Sequence, residues 1–583
     1  MDYQKQLPIS YLLFTKRGRI NRRTYWLVSI FIWTIFYVLY NVLEKGVSTS
    51  ATWVLYPLLY WALFCTANKR LHDSGMSGYW LWLILIPVFG PLFLFIVLGF
   101  RRGTRKENKF GSSPNLASDY YKNPDAELIK HLKTGEKIVN DVSRLNPVLV
   151  SKVFVPDSAE EVQKIVRETE SHISVGGGRF SMGGQTASSY GIHIDMRAMN
   201  RVITFSPEEK LIKVESGIRW CDIQKYIDSQ NLSVKVMQSY ANFTVGGSVS
   251  VNCHGRYIGY GSVVMSVRSM DIVTADGELK TVSRFEHPEL FEAVVGCYGA
   301  VAIIVAVELE LAENELLERK WKLMRRNQYL DFFRKEVREN KQVVLHNGDL
   351  YPPDFSKILG VSWVITKKKA TQKARLITLR AQYPIERFFI SSFSKNNFAK
   401  WRRQFIVDPI LYSRKKVHWR NYEAGYDVAE LEPASREYSS YLLQEYFVPV
   451  DQFEGFSAKM AEIFRRYKVN VINVSIRHAV QNRDSLLSWS EEEVFAFVIW
   501  YKQSTNEKAK NTVGIWTREL TDAALGCGGT YYLPYQLHAT PEQFHRAFPH
   551  AKKLFSLKQQ IDPNNKFRNS LWEKYYNPNA YYE

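Results

Sequence analysis

The chain has 583 residues, 46% of them hydrophobic and 23% charged, a globular balance too long for one core, so three or four units are expected. Its net charge of +19 is unevenly placed: residues 1–115 carry 14 Lys/Arg against 4 Asp/Glu, which ties the excess to one end, and no nucleic-acid partner is expected. Cys65, Cys221, Cys253, Cys297 and Cys527 are scattered without a CxxC, which argues against a disulfide framework or zinc site and for small buried residues in a reducing compartment.

Three uncharged runs open the chain: Tyr25–Leu43 (19 residues), Ala51–Asn68 (18) and Tyr79–Phe100 (22). Each is long enough to span a bilayer, and Trp and Tyr gather at their ends as interfacial belts do. No small-residue cleavage site follows the first run, so a signal peptide is not expected. Basic residues stand before the first run (Lys16, Arg17, Arg19, Arg22, Arg23), after the second (Lys69, Arg70) and after the third (Arg101, Arg102, Arg105, Lys106, Lys109). The positive-inside rule puts all three flanks in the cytoplasm, which three simple spans cannot satisfy. Pro87, Gly90 and Pro91 interrupt the third run, so the expectation is two full spans, a re-entrant third segment and a cytoplasmic downstream domain. His72 and Asp73 in "RLHDSG" read as a helix-end loop at the membrane surface.

Residues 111–141, beginning "GSSPNLASDYYKNPD", read as a linker. From Val142 a globular region begins. Ser158 and Glu161 fit a capping box, and β-rich segments alternate with helices in an α+β pattern. "SVGGGRFSMGGQT" (Ser174–Thr186) holds five glycines, which let backbone N–H groups approach a phosphate without Cβ obstruction. Gly176, Gly178 and Asp195 roughly match a Rossmann spacing, but Ser181 stands at the third glycine and no amphipathic helix follows. Two more glycine clusters, "TVGGSVSVNCHGR" (Thr244–Arg256) and "VVGCYGAVAIIVAVELEL", suggest one extended ligand lying across the domain.

"GGGRFSMGG", "DMRAMN", "TVGGSVSVNCHG", "SMDIVTADGE" and "ELFEAVVGCYGAVAII" stand in the order found in flavoproteins of the vanillyl-alcohol-oxidase type, and the resemblance covers Asn146–Leu311. It implies an FAD-binding domain of two subdomains over 142–311. It also implies cofactor contacts from Gly176, Gly177, Gly178, Arg179, Phe180, Ser181, Ser239, Thr244, Gly246, Gly247, Asn252, His254, Gly255, Ile303 and Tyr532. "LLQEYFVP", "GGTYYLPYQLHAT" and "KQQIDPNNKFRNSLW" are similar to segments of the aldonolactone oxidases and decaprenylphosphoryl-ribose oxidases. That likeness implies an antiparallel-sheet cap over 312–524 and a segment 525–583 returning to the FAD domain. Where sugar-lactone and alditol oxidases place a flavin-linked histidine this chain has Phe180, so the expected FAD is noncovalent. Tyr535 stands where the decaprenylphosphoryl branch has a lysine, which weakens the case for a lipid-linked pentose. "RGRINRRTYW", "RLHDSGMSGYW" and "GTRKENKFGSSP" resemble a bacterial membrane-domain family of unknown function, giving an all-α transmembrane domain over 1–110 of the inner membrane.

The chemistry implied is oxidation of a hydroxyl-bearing carbon, a C–H delivering hydride to the flavin while a neighbouring base takes the hydroxyl proton. The candidates are His254, Tyr535 and His538 for the base, with Arg477 and Gln444 orienting substrate. Arg477 and His478 alternate on a strand, so one of them faces the cavity. The leading expectation is an FAD oxidoreductase for a sugar, sugar lactone or polyprenyl-linked alcohol, with oxygen or a membrane quinone as electron acceptor. A noncatalytic flavin sensor signalling through the membrane domain is the remaining alternative. No metal is expected.

Overall fold

The computed structural model describes residues 9–16, 18–101, 103–104, 108, 110, 135–379, 383, 390, 393–394, 397–430, 436 and 439–576. Arg17, Arg102, Arg105, Lys106 and Lys109 of the basic flanks, most of the expected linker and the last seven residues lie outside them. The chain forms two units, Met1–Asn123 and Pro124–Glu583.

The first unit is helical: α1 (Ile9–Phe14), α2 (Arg22–Gly46), α3 (Leu55–Asp73) and α4 (Phe89–Gly99), with a 3-10 turn at Thr49–Val54 leading into α3. Asn21 caps α2 by accepting from the Thr24 N–H. α2 and the stretch Thr49–Asp73 are each 25 residues long and apolar enough to cross a membrane. The third run is broken, as its prolines require. A 3-10 segment, Gly78–Leu85, is followed by Val88 at φ +63° and the 11-residue α4, about 16 Å long and too short to span alone. A Cβ on Gly90 would sit 1.6 Å from the Leu83 carbonyl oxygen, which fixes how closely the two halves pack. Both ends of the run lie at one end of the unit: Gly78 against Asn68, and Leu98 accepting from Arg70 Nε at 3.0 Å. Asp73 is buried there between Arg19 (3.0 Å) and Arg70 (2.8 Å), its carbonyl accepts the Thr104 N–H, and His72 Nδ1 donates to the Gly18 carbonyl. The "RLHDSG" loop thus ties together three segments, each bordered by a basic cluster.

The second unit is α+β, with mixed helix and sheet and mostly antiparallel sheets. β1 (Lys137–Val139), at the end of the expected linker, pairs with β2 (Val148–Val150). β3 (Lys152–Phe154), β5 (Ile192–Asp195) and β4 (Ile173–Gly176) form a parallel sheet in that spatial order. α5 (Ala159–Glu168) is capped by Ser158 accepting the Glu161 N–H; the Glu161 carboxylate returns to the Asp157 N–H, one residue off the capping-box partner. The second sheet is antiparallel in the order β10 (Leu279–Ser283), β9 (Val267–Val273), β11 (Ile303–Glu313), β7 (Leu211–Glu215), β6 (Val202–Ser206), with β8 (Leu232–Val234) beside the end of β11.

The third sheet has eight antiparallel strands: β15 (Val417–Trp419), β12 (Leu316–Arg325), β14 (Lys357–Ile365), β13 (Val343–Leu350), β17 (Asn470–Ala479), β18 (Val494–Ser504), β16 (Ser439–Pro449) and β19 (Thr530–Tyr531). Its last strand comes from the C-terminal segment, which also returns to the parallel sheet: the Ile173 N–H donates to Lys566 and the Arg568 N–H to Ile173. One apolar core runs through the second and third sheets, from Ile212 and Trp220 to Phe495 and Trp516, and holds the two rigidly against each other.

Candidate active site

The glycine-rich stretch leaves the end of β4 as a loop, the place where parallel strands present ligand-binding backbone. Arg179 adopts φ +58°, its guanidinium reaches Asp195 at 3.5 Å, and Phe180 stacks on Phe243 at 4.2 Å with 6° between the rings. The second glycine segment lies against this loop, the Gly178 N–H pointing at Thr244 Oγ1. A Cβ on Gly177 would meet that oxygen at 2.2 Å, and one on Gly246 would meet Ser216 Cβ at 2.6 Å, so these glycines let the Thr244 and Ser216 side chains pack directly on the backbone. The C-terminal segment clamps the loop from the far side: Gln185 Nε2 donates to the carbonyls of Leu533 and Tyr535, and the Met182 N–H donates to Pro534.

Between these segments and the eight-stranded sheet lies a cavity of about 580 Å³. Gly177, Gly178, Arg179, Phe180, Ser181, Ser239, Thr244, Gly246, Gly247, His254, Ile303, Arg477, Tyr532 and Tyr535 all line it. Two buried hydroxyls on its wall, Ser216 Oγ and Ser239 Oγ, have no hydrogen-bond partner among the described residues. Orphaned buried hydroxyls beside a glycine cradle fit a long polar ligand such as FAD.

Other expected residues stand elsewhere. Gly176 packs on His193 and Gly255 on the Met237 carbonyl, and neither lines the cavity. Asn252, at φ +46°, accepts the Trp489 indole N–H through its carbonyl behind the cavity wall. His538 lies against Gly514 of the helix Glu507–Gly526, outside the cavity, with burial pushing its pKa down to about 4. Gln444 is displaced for a simple reason. On β16 the cavity-facing residues are Tyr441, Leu443 and Glu445, so strand alternation turns Gln444 to the opposite face of the sheet. The same alternation on β17 resolves the Arg477/His478 pair: Arg477 lines the cavity, while His478 Nε2 pairs with Glu493 at 2.6 Å on the other side.

Glu445, not anticipated from the sequence, is the centre of the site. Its Oε1 accepts from His254 Nε2 at 2.5 Å and its Oε2 from the Tyr535 hydroxyl at 3.1 Å, and its side chain is almost fully buried. Burial, then the Glu445 charge, pushes the Tyr535 phenol well above its ordinary range, so Tyr535 is a hydrogen-bond donor at neutral pH. Arg477 makes no ion pair among the described residues, and its buried Nε has no partner. Its charge acts on Tyr535 and on Tyr240, whose pKa burial raises to about 12. A single charged residue in the mostly apolar "YLLQEYFV" was the available signal.

Residues 150–283 match the family described as FAD binding domain, and residues 13–112 match a protein of unknown function (DUF805). L-gulonolactone oxidase from Bos taurus is 26% identical over 219 residues, 35% of this chain and 50% of the relative; the Mus musculus enzyme of that name is 20% identical over 435 residues, 72% and 94%. Decaprenylphosphoryl-beta-D-ribose oxidase from Mycolicibacterium smegmatis is 30% identical over 178 residues, 30% and 38%. The chain spans about half the length of the first curated relatives it matches. It carries an FAD-binding domain related to those of flavoprotein oxidases and dehydrogenases.

Proposed function

We propose that this chain is a membrane-anchored, FAD-dependent oxidoreductase that oxidises a hydroxyl-bearing carbon of a sugar, sugar lactone or polyprenyl-linked alcohol. The observation that carries the reading is the buried Glu445, held by His254 and Tyr535 and facing the same cavity as the glycine-rich loop and Arg477, which makes no ion pair among the described residues. Gly177, Gly178, Ser181, Ser239, Thr244, Gly246 and Gly247 hold the cofactor without a covalent link, because Phe180 offers no nucleophile. Bound FAD supplies the acceptor for the two electrons of the substrate C–H bond. Glu445 takes the hydroxyl proton: it keeps lone pairs beyond the two used by His254 and Tyr535, and those two donors favour its ionised form. Arg477 orients the substrate oxygen and offsets the negative charge that develops there.

Anaerobic mixing with aldonolactones, alditols and polyprenyl-phosphate sugars tests the reading by loss of the visible flavin band. Recovery on admitting oxygen would define an oxidase; recovery only with a quinone, the second reading favoured by the apolar N-terminal helices, would define a dehydrogenase. No bleaching by any alcohol would refute both and leave a flavin sensor.

For topology we propose two spans and a re-entrant third segment, with the flavin domain in the cytoplasm. Both ends of Gly78–Gly99 meeting at the end of the unit that carries Arg19 and Arg70 supports this reading. Alkaline phosphatase activity from a fusion after Glu583 would overturn it, and green fluorescence there would support it.

A further inference from the structure

The helical stretch 397–413, built of Asn397–Arg402, Arg403–Val407 and Asp408–Ser413, has two unlike faces. Its inner face helps to wall the cavity. Arg403 donates to the Ile472 carbonyl and lies 3.4 Å from Asp408, which accepts the Tyr351 hydroxyl at 2.7 Å. Its outer face presents Phe398, Trp401, Phe405, Ile406, Ile410 and Leu411, with Phe398 68% and Ile410 66% exposed. Exposed Trp321 adjoins the patch through Tyr412, the two rings 6.1 Å apart. Leu411 lines the cavity and is still 57% exposed, so it stands at the mouth. Cations border the patch: exposed Arg414 and Lys415 stand at the end of the helix, and Lys357 Nζ lies 4.8 Å over the Phe405 ring.

Contiguous aromatic and aliphatic side chains rimmed by Lys and Arg form a surface suited to the interface of an anionic bilayer. We propose that the outer face of 397–413 seats in the lipid interface of the membrane that anchors the chain. The cavity mouth then opens at the level of the acyl chains, and an alcohol carried on a lipid tail reaches Glu445 without leaving the bilayer. The inference deepens the membrane-anchored reading above and rests on it. Covalent connection to α2 and α3 keeps the second unit near whatever membrane holds them.

The test uses the full chain in nanodiscs of phosphatidylglycerol and phosphatidylcholine. Cys527, the one native cysteine that is not buried, is replaced by Ser, and Phe405→Cys carries an environment-sensitive fluorophore. Shallow doxyl-labelled lipid is expected to quench this probe strongly and to leave the same probe at Phe285→Cys, a site 97% exposed and outside the patch, unquenched. Arg414→Glu with Lys415→Glu should weaken quenching at 405 without changing flavin content. An unquenched probe at 405 in protein that remains in the discs and keeps its flavin overturns the docking and leaves the oxidoreductase reading intact. Equal quenching at both sites removes the assignment to this face. A blue-shifted probe at 405 that ignores the lipid quencher and reverts on dilution assigns the patch to a second copy of the chain instead. Protein that does not stay with the discs refutes the anchoring, and the docking with it.

Discussion

Glu445 has both carboxylate oxygens occupied by donors, yet it faces a cavity rather than packed protein, an arrangement suited to taking a proton from a third partner. Glu445→Gln keeps the volume and removes the charge. Its flavin content should match the parent, while the anaerobic rate of flavin reduction by the best alcohol should fall by about 10²- to 10⁴-fold, the range for loss of a positioned base. Reduction at the parent rate would move the role to His254 or Tyr535. Phe180, stacked on Phe243, has no atom that can bond to a flavin carbon. Acid precipitation should therefore leave the yellow colour in the supernatant, and a yellow pellet would contradict noncovalent binding.

Single elements impose constraints that no one residue carries. The approach of the β4 loop to the Thr244 segment leaves 2.2 Å between a Cβ on Gly177 and Thr244 Oγ1. Gly177→Ala should cost about 1–3 kcal/mol, as overpacking does, and lower flavin occupancy. Thr244→Ala removes the obstructing oxygen, so the double variant should recover most of the lost stability. Additive losses in a thermal-melt cycle would show that the glycine serves the ligand alone. Strand alternation is the second constraint of this kind. A shift of one residue on β16 separates Gln444, which faces away, from Glu445, which faces the cavity, and sequence similarity carries no signal of that parity.

For the second unit as a whole, three buried histidines contribute to the loss of stability in acid. His193 is held well below its ordinary pKa by burial and by Arg179; burial with His478 nearby pushes His346 down to about 3, and His538 stands at about 4. Unfolded, each takes up a proton near 6.5. Below that pH the unfolded chain binds more protons than the folded one, so the contribution is whole above pH 6.5 and is lost as the pH falls toward the folded values. His346 is fully buried between Tyr329 and Ser362. His346→Gln, whatever its own cost, should flatten the dependence of unfolding free energy on pH between 4.5 and 6 by one proton, about 1.4 kcal/mol per pH unit. Denaturant melts across that range measure it, and an unchanged slope would mean that His346 is charged in the folded state.

Composition and local pattern determined much of this protein. Apolar runs of 18–22 residues, prolines inside the third of them, and glycine clusters in a set order are properties of short segments, and short segments are what a sequence states directly. The glycine loop, Phe180, His254, Arg477, Tyr532 and Tyr535 all reach one cavity because their motifs encode backbone approach and strand position together. Tertiary structure alone decided the rest. Glu445 meets His254 across 191 positions of chain, and the apolar face of 397–413 is left uncovered because the inner face of the same helix is anchored by Arg403 and Asp408. Pairings that distant depend on sheet register and on how two sheets share one core, and neither is written in any local stretch of residues.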